Sequence, residues 1–386
     1  MSGEICFHVQ EEIMRRLPVK SLARFRCVCK AWRCLIDSSR FIAAHTVGQD
    51  QRPHLFVRYL VGRKPHFVCI VDDDTFPQQR FVPTLPPSIK LLTMSRMVGS
   101  CNGLVCLDGY YESHSGEPVV VFWNPSIRKS IAISVPVNPF NMYDWMDESA
   151  FGFGVCPVTN DPKIVMIPQL CQLDEKVSNI NDPQKIMVYT LSSGKWKRLS
   201  TSSNVPSKSV QVRQDVQFID RFLYWSGGHM VAEDGCSWIR WTSNLILSFD
   251  MTNDTFQVID LPDILAGCLP TQLFISKLRE SLVIFESLEE MCSVSLWMME
   301  NGVQKSFTKL FTIIAQEYGS IRILGLRKSG TPVMEVIDVC LGESEIAVYE
   351  PNSQSFTTLE IGGIRSFSTV NSYTETLLLL GRSDLW

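Results

Sequence analysis

Apolar side chains recur at two different periods along this 386-residue chain. Up to about residue 46 they follow steps of three and four, the period of a helix. Val9, Ile13 and Leu17 lie on one helical side, and Pro18 stops that helix because it offers no amide hydrogen to the turn before it. Ser21 is the expected cap of a second helix, along which Leu22, Phe25, Val28, Cys29, Trp32 and Ile36 form one continuous apolar stripe. Arg24, Lys30 and Arg33 stand on the opposite face. Ser38 or Ser39 is the expected cap of a third short helix through Phe41 and Ile42. Three short helices cannot cover that much apolar surface alone, so the uncovered stripe implies a partner.

From about residue 53 the helical period fades. Short runs of Val, Ile, Phe, Tyr and Trp alternate with turn residues, the mark of an all-β region. One pattern occurs five times: an apolar strand ending in an aromatic, a polar turn, then a second strand. The copies are VVVFWNPSIRKSIAI, IMVYTLSSGKWKRL, LILSFDMTNDTFQVI, VSLWMMENGVQKSF and IAVYEPNSQSFTTLEI. Their aromatic anchors, Trp123, Tyr189, Phe249, Trp297 and Tyr349, are 66, 60, 48 and 52 residues apart. A further strand candidate precedes each copy: GLVCL, KIVMI, RFLYW, SLVIF and PVMEV. Repeats of about 50 residues with several strands each predict a β-propeller. The spacing predicts six blades and leaves seven open. The ring is expected to close by pairing the chain end, including TLLLLG, with HLFVRYL near the start of the β region. Two packed sandwiches are the rival architecture, but they do not account for five similar repeats.

Composition narrows the function classes. At 45% hydrophobic and 20% charged residues the chain is ordinary globular protein, which excludes extensive disorder. Its formal net charge of −4 excludes a broad nucleic-acid footprint, although the first 46 residues are basic. No apolar stretch approaches the ~18 residues of a membrane span, so no membrane partner is expected. MSGEICFHV lacks the basic start and apolar run of a secretory signal. The 13 cysteines include no CxxC pair and read as reduced, mostly buried thiols, which suits the cytoplasm or the nucleus.

Several residues carry chemistry that local context explains. Cys101 in GSCNG could be a nucleophile, but Asn102-Gly103 between apolar runs is a hairpin turn. Cys27, Cys29 and Cys34 lack a completing His or Cys pair, so packing is expected rather than a metal. Gly152-Phe153-Gly154 lacks a third glycine and a following helix and is not a dinucleotide site. Asp72-Asp73-Asp74 and the acidic stretch from Asp144 to Glu148 are expected to be solvated loops. No HExxH, P-loop or GxSxG pattern occurs, and no cofactor or metal is expected. A propeller enzyme would need His, Tyr, Cys or carboxylate groups converging at the mouth of the ring, and nothing in the sequence favours that.

Residues 5–45 resemble the F-box motif, most specifically in RLPVKSLARFRCVCKAWRCLI. The rest resembles plant F-box proteins with an F-box-associated, kelch-like interaction domain, through GSCNGLVCL, VFWNPSIRK, FGFGVCPVTNDPKIV, VYTLSSGKWK and ILSFDMTNDTFQVIDLP. FLYWSGG, ending at Gly227 and Gly228, is similar to a kelch strand. The resemblance implies a small all-α F-box of three helices at 1–46, a linker at 47–52 and an all-β propeller at 53–386. It implies the substrate receptor of an SCF-type (cullin-RING) ubiquitin ligase. The F-box would dock on a SKP-family adaptor, and through it cullin, while the propeller would hold an unidentified target protein. By motif matching, the adaptor-binding residues are Leu17, Pro18, Leu22, Phe25, Val28, Cys29 and Trp32, and no catalytic residue is implied. The motif usually opens with Leu-Pro where this chain has Ile5 and Cys6. That departure supports the alternative, a non-catalytic binding propeller that acts outside the ligase with a weakened F-box.

Overall fold

A computed structural model describes residues 5–48, 52–62, 64–111, 118–136, 149–169, 180–232, 239–288, 293–300, 305–314, 320–337, 343–351 and 353–380. The acidic stretch 144–148 lies outside them. The N-terminal region carries four helices: α1 (Phe7–Arg15), α2 (Val19–Phe25), α3 (Lys30–Ile36) and α4 (Ser39–Gly48). The single stripe-bearing helix expected from Ser21 to Ile36 is therefore two helices. Cys29 takes an extended backbone (φ −155°, ψ 164°), and its Sγ accepts the Trp32 amide at 3.4 Å. Cys-Val-Cys has low helix propensity, so one thiol caps the next helix instead of continuing the last. Pro18, not Ser21, starts α2. Ser38 caps α4, its Oγ accepting the Phe41 amide at 3.2 Å.

The strands form six four-stranded sheets, the blades of a six-bladed propeller. Blade one is β4 (Leu92–Cys101), β5 (Leu104–Tyr111), β6 (Pro118–Asn124) and β7 (Lys129–Ser134). Blade two is β8 (Ser149–Val155), β9 (Pro162–Pro168), β10 (Met187–Thr190) and β11 (Lys195–Arg198). Blade three is β12 (Val210–Ile219), β13 (Phe222–Ala232), β14 (Ile239–Asp250) and β15 (Thr255–Asp260). Blade four is β16 (Leu273–Leu278), β17 (Ser281–Leu288), β18 (Ser293–Glu300) and β19 (Ser306–Ile314). Blade five is β20 (Ser320–Leu326), β21 (Pro332–Ile337), β22 (Glu343–Glu350) and β23 (Ser355–Ile364). The sixth takes strands from both chain ends, in the order β24 (Thr369–Tyr373), β1 (His54–Val61), β2 (Lys64–Val71) and β3 (Arg80–Phe81).

All five aromatic anchors fall in the second half of a third strand. Three face an aromatic directly across the ladder: Tyr189 and Trp196 at 5.4 Å, Phe249 and Phe256 at 4.7 Å, Tyr349 and Phe356 at 5.1 Å between ring centroids. Each such pair contributes roughly 0.2–1 kcal/mol beyond alanine. The sixth blade escapes the repeat because its third strand ends in Ile70-Val71. Asn102 and Gly103 both have positive φ (45° and 71°) and join β4 to β5 in the expected hairpin. In β8, Phe151 and Phe153 are buried, and the alternate glycines admit aromatic rings from blade three. A Cβ at Gly152 would stand 2.2 Å from Trp225, and one at Gly154 2.5 Å from Phe218. That packing is why FGFG occurs.

Two compact units make up the chain. One comprises Met1–Phe56, Val68–Val135 and Ser372–Trp386. Here the helices share a core with the chain's other end: Met14, Val19, Leu22, Ile36 and Phe41 are buried with Leu377 and Leu380, and Ile127 packs on the cluster. The chain end pairs with HLFVRYL as expected, but TLLLLG is not the strand that does so. The closing strand is TVNSY at β24, and the leucines after it serve the helices instead. Polar contacts redirect the chain. The Asn124 amide donates to the carbonyls of Thr376 (2.9 Å) and Leu378 (2.8 Å), and the Thr376 hydroxyl donates to the Asn102 carbonyl at 3.0 Å.

The other unit comprises Val57–Phe67 and Pro136–Asn371. Within it β8, β12, β16 and β20 are successive neighbours, so the first strand of each blade is the inner one. Buried Glu335 accepts hydrogen bonds from Arg322 (2.8 Å), the Ser344 hydroxyl (2.8 Å) and the Ser366 amide (3.2 Å). Arg322 also donates to the Ser368 carbonyl at 2.8 Å, and Arg58 to that of Phe367 at 3.0 Å. A buried carboxylate is tolerated only when so paired, and here the pairing fixes the turn that leads into the closing strand.

Candidate functional site

The exposed apolar surface of the helical region is the candidate site. Pro18 starts α2 with φ −58° and ψ 147°, and Cys6 starts α1 with nearly the same geometry, φ −53° and ψ 139°. The helices are tied to one another by a few polar contacts. Arg26 donates twice to Asp37, at 2.5 and 2.7 Å, joining α2 to the end of α3. Trp32 Nε1 donates to Gln10 Oε1 at 2.8 Å, joining α3 to α1. His45 Nε2 lies 2.9 Å from the Leu17 carbonyl, and burial holds the imidazole below its ordinary pKa.

That scaffold presents Ile5, Phe7, Val9, Ile13 and Val28 to solvent, each about half exposed, with Val28 at 60%. A groove of about 450 Å³ adjoins them, lined by Phe7, Ala31, Cys34, Leu35 and Phe41 together with the polar Glu11, Ser38 and Arg40. So much exposed branched and aromatic side chain on so few residues marks an interaction surface.

The structure divides the motif-matched residues into three groups. Pro18, Val28 and Cys29 are exposed. Leu17, Phe25 and Trp32 are half-buried against the shared core, with the rings of Phe25 and Trp32 5.5 Å apart. Leu22 is wholly buried and shapes the helices from inside. Sequence reasoning missed Phe7 and assigned no contact to Val9 or Ile13, although their four-residue spacing already marked them as one face. The packing expected of Cys27, Cys29 and Cys34 is overturned: all three are exposed, as is Cys6. In the propeller Cys69, Cys101, Cys106 and Cys156 are buried as expected. Among the described residues no group of His, Cys, Asp or Glu is arranged to hold a metal ion.

Four helices with an uncovered apolar face, followed by a six-bladed propeller, define an F-box protein of the propeller class. Residues 4–43 match the F-box domain model, and residues 64–380 match that of the F-box associated beta propeller domain. The second match spans most of the chain, and the protein belongs to that family. Its relatives include F-box protein CPR1 of Arabidopsis thaliana, 25% identical over 98% of this chain and 89% of that one. The F-box/LRR-repeat/kelch-repeat protein At2g27520 of the same plant is 25% identical over 87% of this chain and 81% of its own. A third relative, F-box/kelch-repeat protein At3g23880, is also 25% identical, over 79% and 78% respectively.

Proposed function

We propose that this protein is the substrate-recognition subunit of an SCF-type ubiquitin ligase, acting in the cytoplasm or the nucleus. The F-box docks on a SKP-family adaptor, which hangs from cullin, and the propeller holds the target. Such a receptor needs no nucleophile of its own. It works by holding a target lysine near a charged conjugating enzyme, which raises the effective concentration of the two groups. The observation that carries this reading is the exposed apolar surface of Ile5, Phe7, Val9, Ile13 and Val28 on a segment that matches the F-box. With Pro18 and Cys29 and the outer edges of Phe25 and Trp32, these residues form the proposed adaptor contact.

Val28 tests the reading better than Trp32, because Val28 is exposed whereas Trp32 also serves the core. Val28→Asp is expected to keep the wild-type melting transition and lose SKP-family adaptor in co-purification. Equal adaptor recovery with wild type and variant sinks the assignment. The alternative, a propeller outside the ligase, rests on the missing Leu-Pro at Ile5-Cys6. Cys6 nevertheless holds a backbone that a proline would adopt, so the turn into α1 is made without one.

A further inference from the structure

A second groove has none of the adaptor-contact residues in its lining. It has a volume of about 470 Å³, is open to solvent, and runs between α2 and the segments that follow β3 and β6. Lys20, Arg24 and Arg128 border it, and among the described residues no carboxylate does. Phe81, Val82 and Ile127 supply an apolar lining, with Val82 79% exposed. The Lys20 ammonium sits 4.9 Å from the Phe81 ring centroid and 3.9 Å from the Glu375 carboxylate, so its charge is partly matched. Arg24 and Arg128 have no ion-pair partner among the described residues. Two exposed guanidiniums at a cleft whose described lining holds no acid leave an unmatched positive field, which favours an anionic occupant.

The walls are built rather than loose. The turn carrying Ile127 and Arg128 is fixed by Asn124, whose Oδ1 accepts the Ser126 amide at 3.1 Å while its amide holds the Thr376 and Leu378 carbonyls. The Ser126 hydroxyl and the Tyr373 hydroxyl are 2.5 Å apart. Ile127 is anchored in the shared core on its other side. A pre-formed cleft loses little ordering entropy when filled.

We infer that this groove binds an extended acidic segment of a partner protein, one that carries an aromatic or branched apolar residue among its carboxylates. The carboxylates pair with Arg24 and Arg128, and the apolar side chain lies on Val82 and Phe81. Planar guanidiniums suit carboxylates because they can donate two parallel hydrogen bonds. The inference does not depend on the ligase reading, since the groove shares no lining residue with the adaptor contact.

The test is a random heptapeptide library displayed on phage and selected against the full-length protein. Selected sequences are expected to be rich in Asp or Glu with one large apolar residue. As synthetic fluorescent peptides they should bind at least about tenfold more weakly to Arg24→Glu/Arg128→Glu, and more weakly to wild type as salt is raised. Lys195→Glu, a charge reversal at a residue that does not line the groove, should leave binding unchanged. Arg24→Ala/Arg128→Ala is measured alongside in case the double reversal fails to fold. The proposal is overturned if no sequence is enriched, if enriched peptides bind wild type and a folded double variant equally, or if the adaptor displaces them. Adaptor capture is measured on the same samples. Peptide binding without adaptor binding would leave the groove standing and remove the ligase reading.

Discussion

At the scale of single residues, helix starts show how one backbone geometry accepts different side chains. Cys6 and Pro18 hold nearly the same φ and ψ, yet only Pro18 has its φ already fixed there by its ring. Cys6→Pro should therefore stabilise the helical region by ~0.4–1 kcal/mol through the unfolded chain. If docking requires α1 to be ordered, adaptor affinity measured by calorimetry should rise about two- to fivefold. An unchanged affinity would show that this turn does not limit docking. His45 sets a pH dependence. Its folded pKa is depressed by burial below 6.5, so protons prefer the unfolded chain. The stability it contributes is complete above that value and declines as pH falls below it towards the folded pKa. His54 is depressed by burial too and adds the same sign. The melting temperature should thus fall below about pH 6.5, and His45→Gln should flatten part of that fall, as differential scanning fluorimetry can measure.

At the scale of elements, the segment after β24 has two neighbours competing for its leucines. Continuing the sheet would place them at a blade edge, whereas the structure sends Leu377 and Leu380 into the core of the helices. Leu377 is fully buried there. Leu377→Ala should cost ~2–5 kcal/mol, the usual range for a buried leucine, and the loss should fall on the helices first. Hydrogen exchange of α1 to α4 is the readout. Protection lost there before it is lost in blades three to five supports the shared core, whereas uniform loss would argue against it.

At the scale of the whole molecule, ring closure depends on one short strand delivered late in the chain. Glu335, Arg322 and Arg58 fix the turn before it, and β24 then pairs with β1. A chain ending before Ser366 loses this strand and exposes the edge of β1. It also leaves Glu335 and Arg322 short of partners in the interior, which is more costly than losing an exposed contact. The truncated protein should be cleaved throughout by limited trypsin digestion, while the full chain resists. Equal resistance would mean that the blades stand independently of closure.

Short-range information determined much of this protein. The aromatic anchor, its polar turn and the strand before it are contiguous, so five blades were legible as repeats, and Asn102-Gly103 was legible as a hairpin. The candidate surface was half legible: the period placed Val28 and Trp32 on one stripe, but a stripe does not say which members face inward. Only the tertiary structure separated Leu22, buried in a core, from Val28, exposed at a bend, because that core is completed by Leu377 and Leu380 from the far end of the chain. The sixth blade was legible in outline, as a sixth unit closed by the chain end on HLFVRYL, but not in its closing strand, since TVNSY meets β1 only when residues 54 and 373 are brought together, and no local pattern records a contact of that separation.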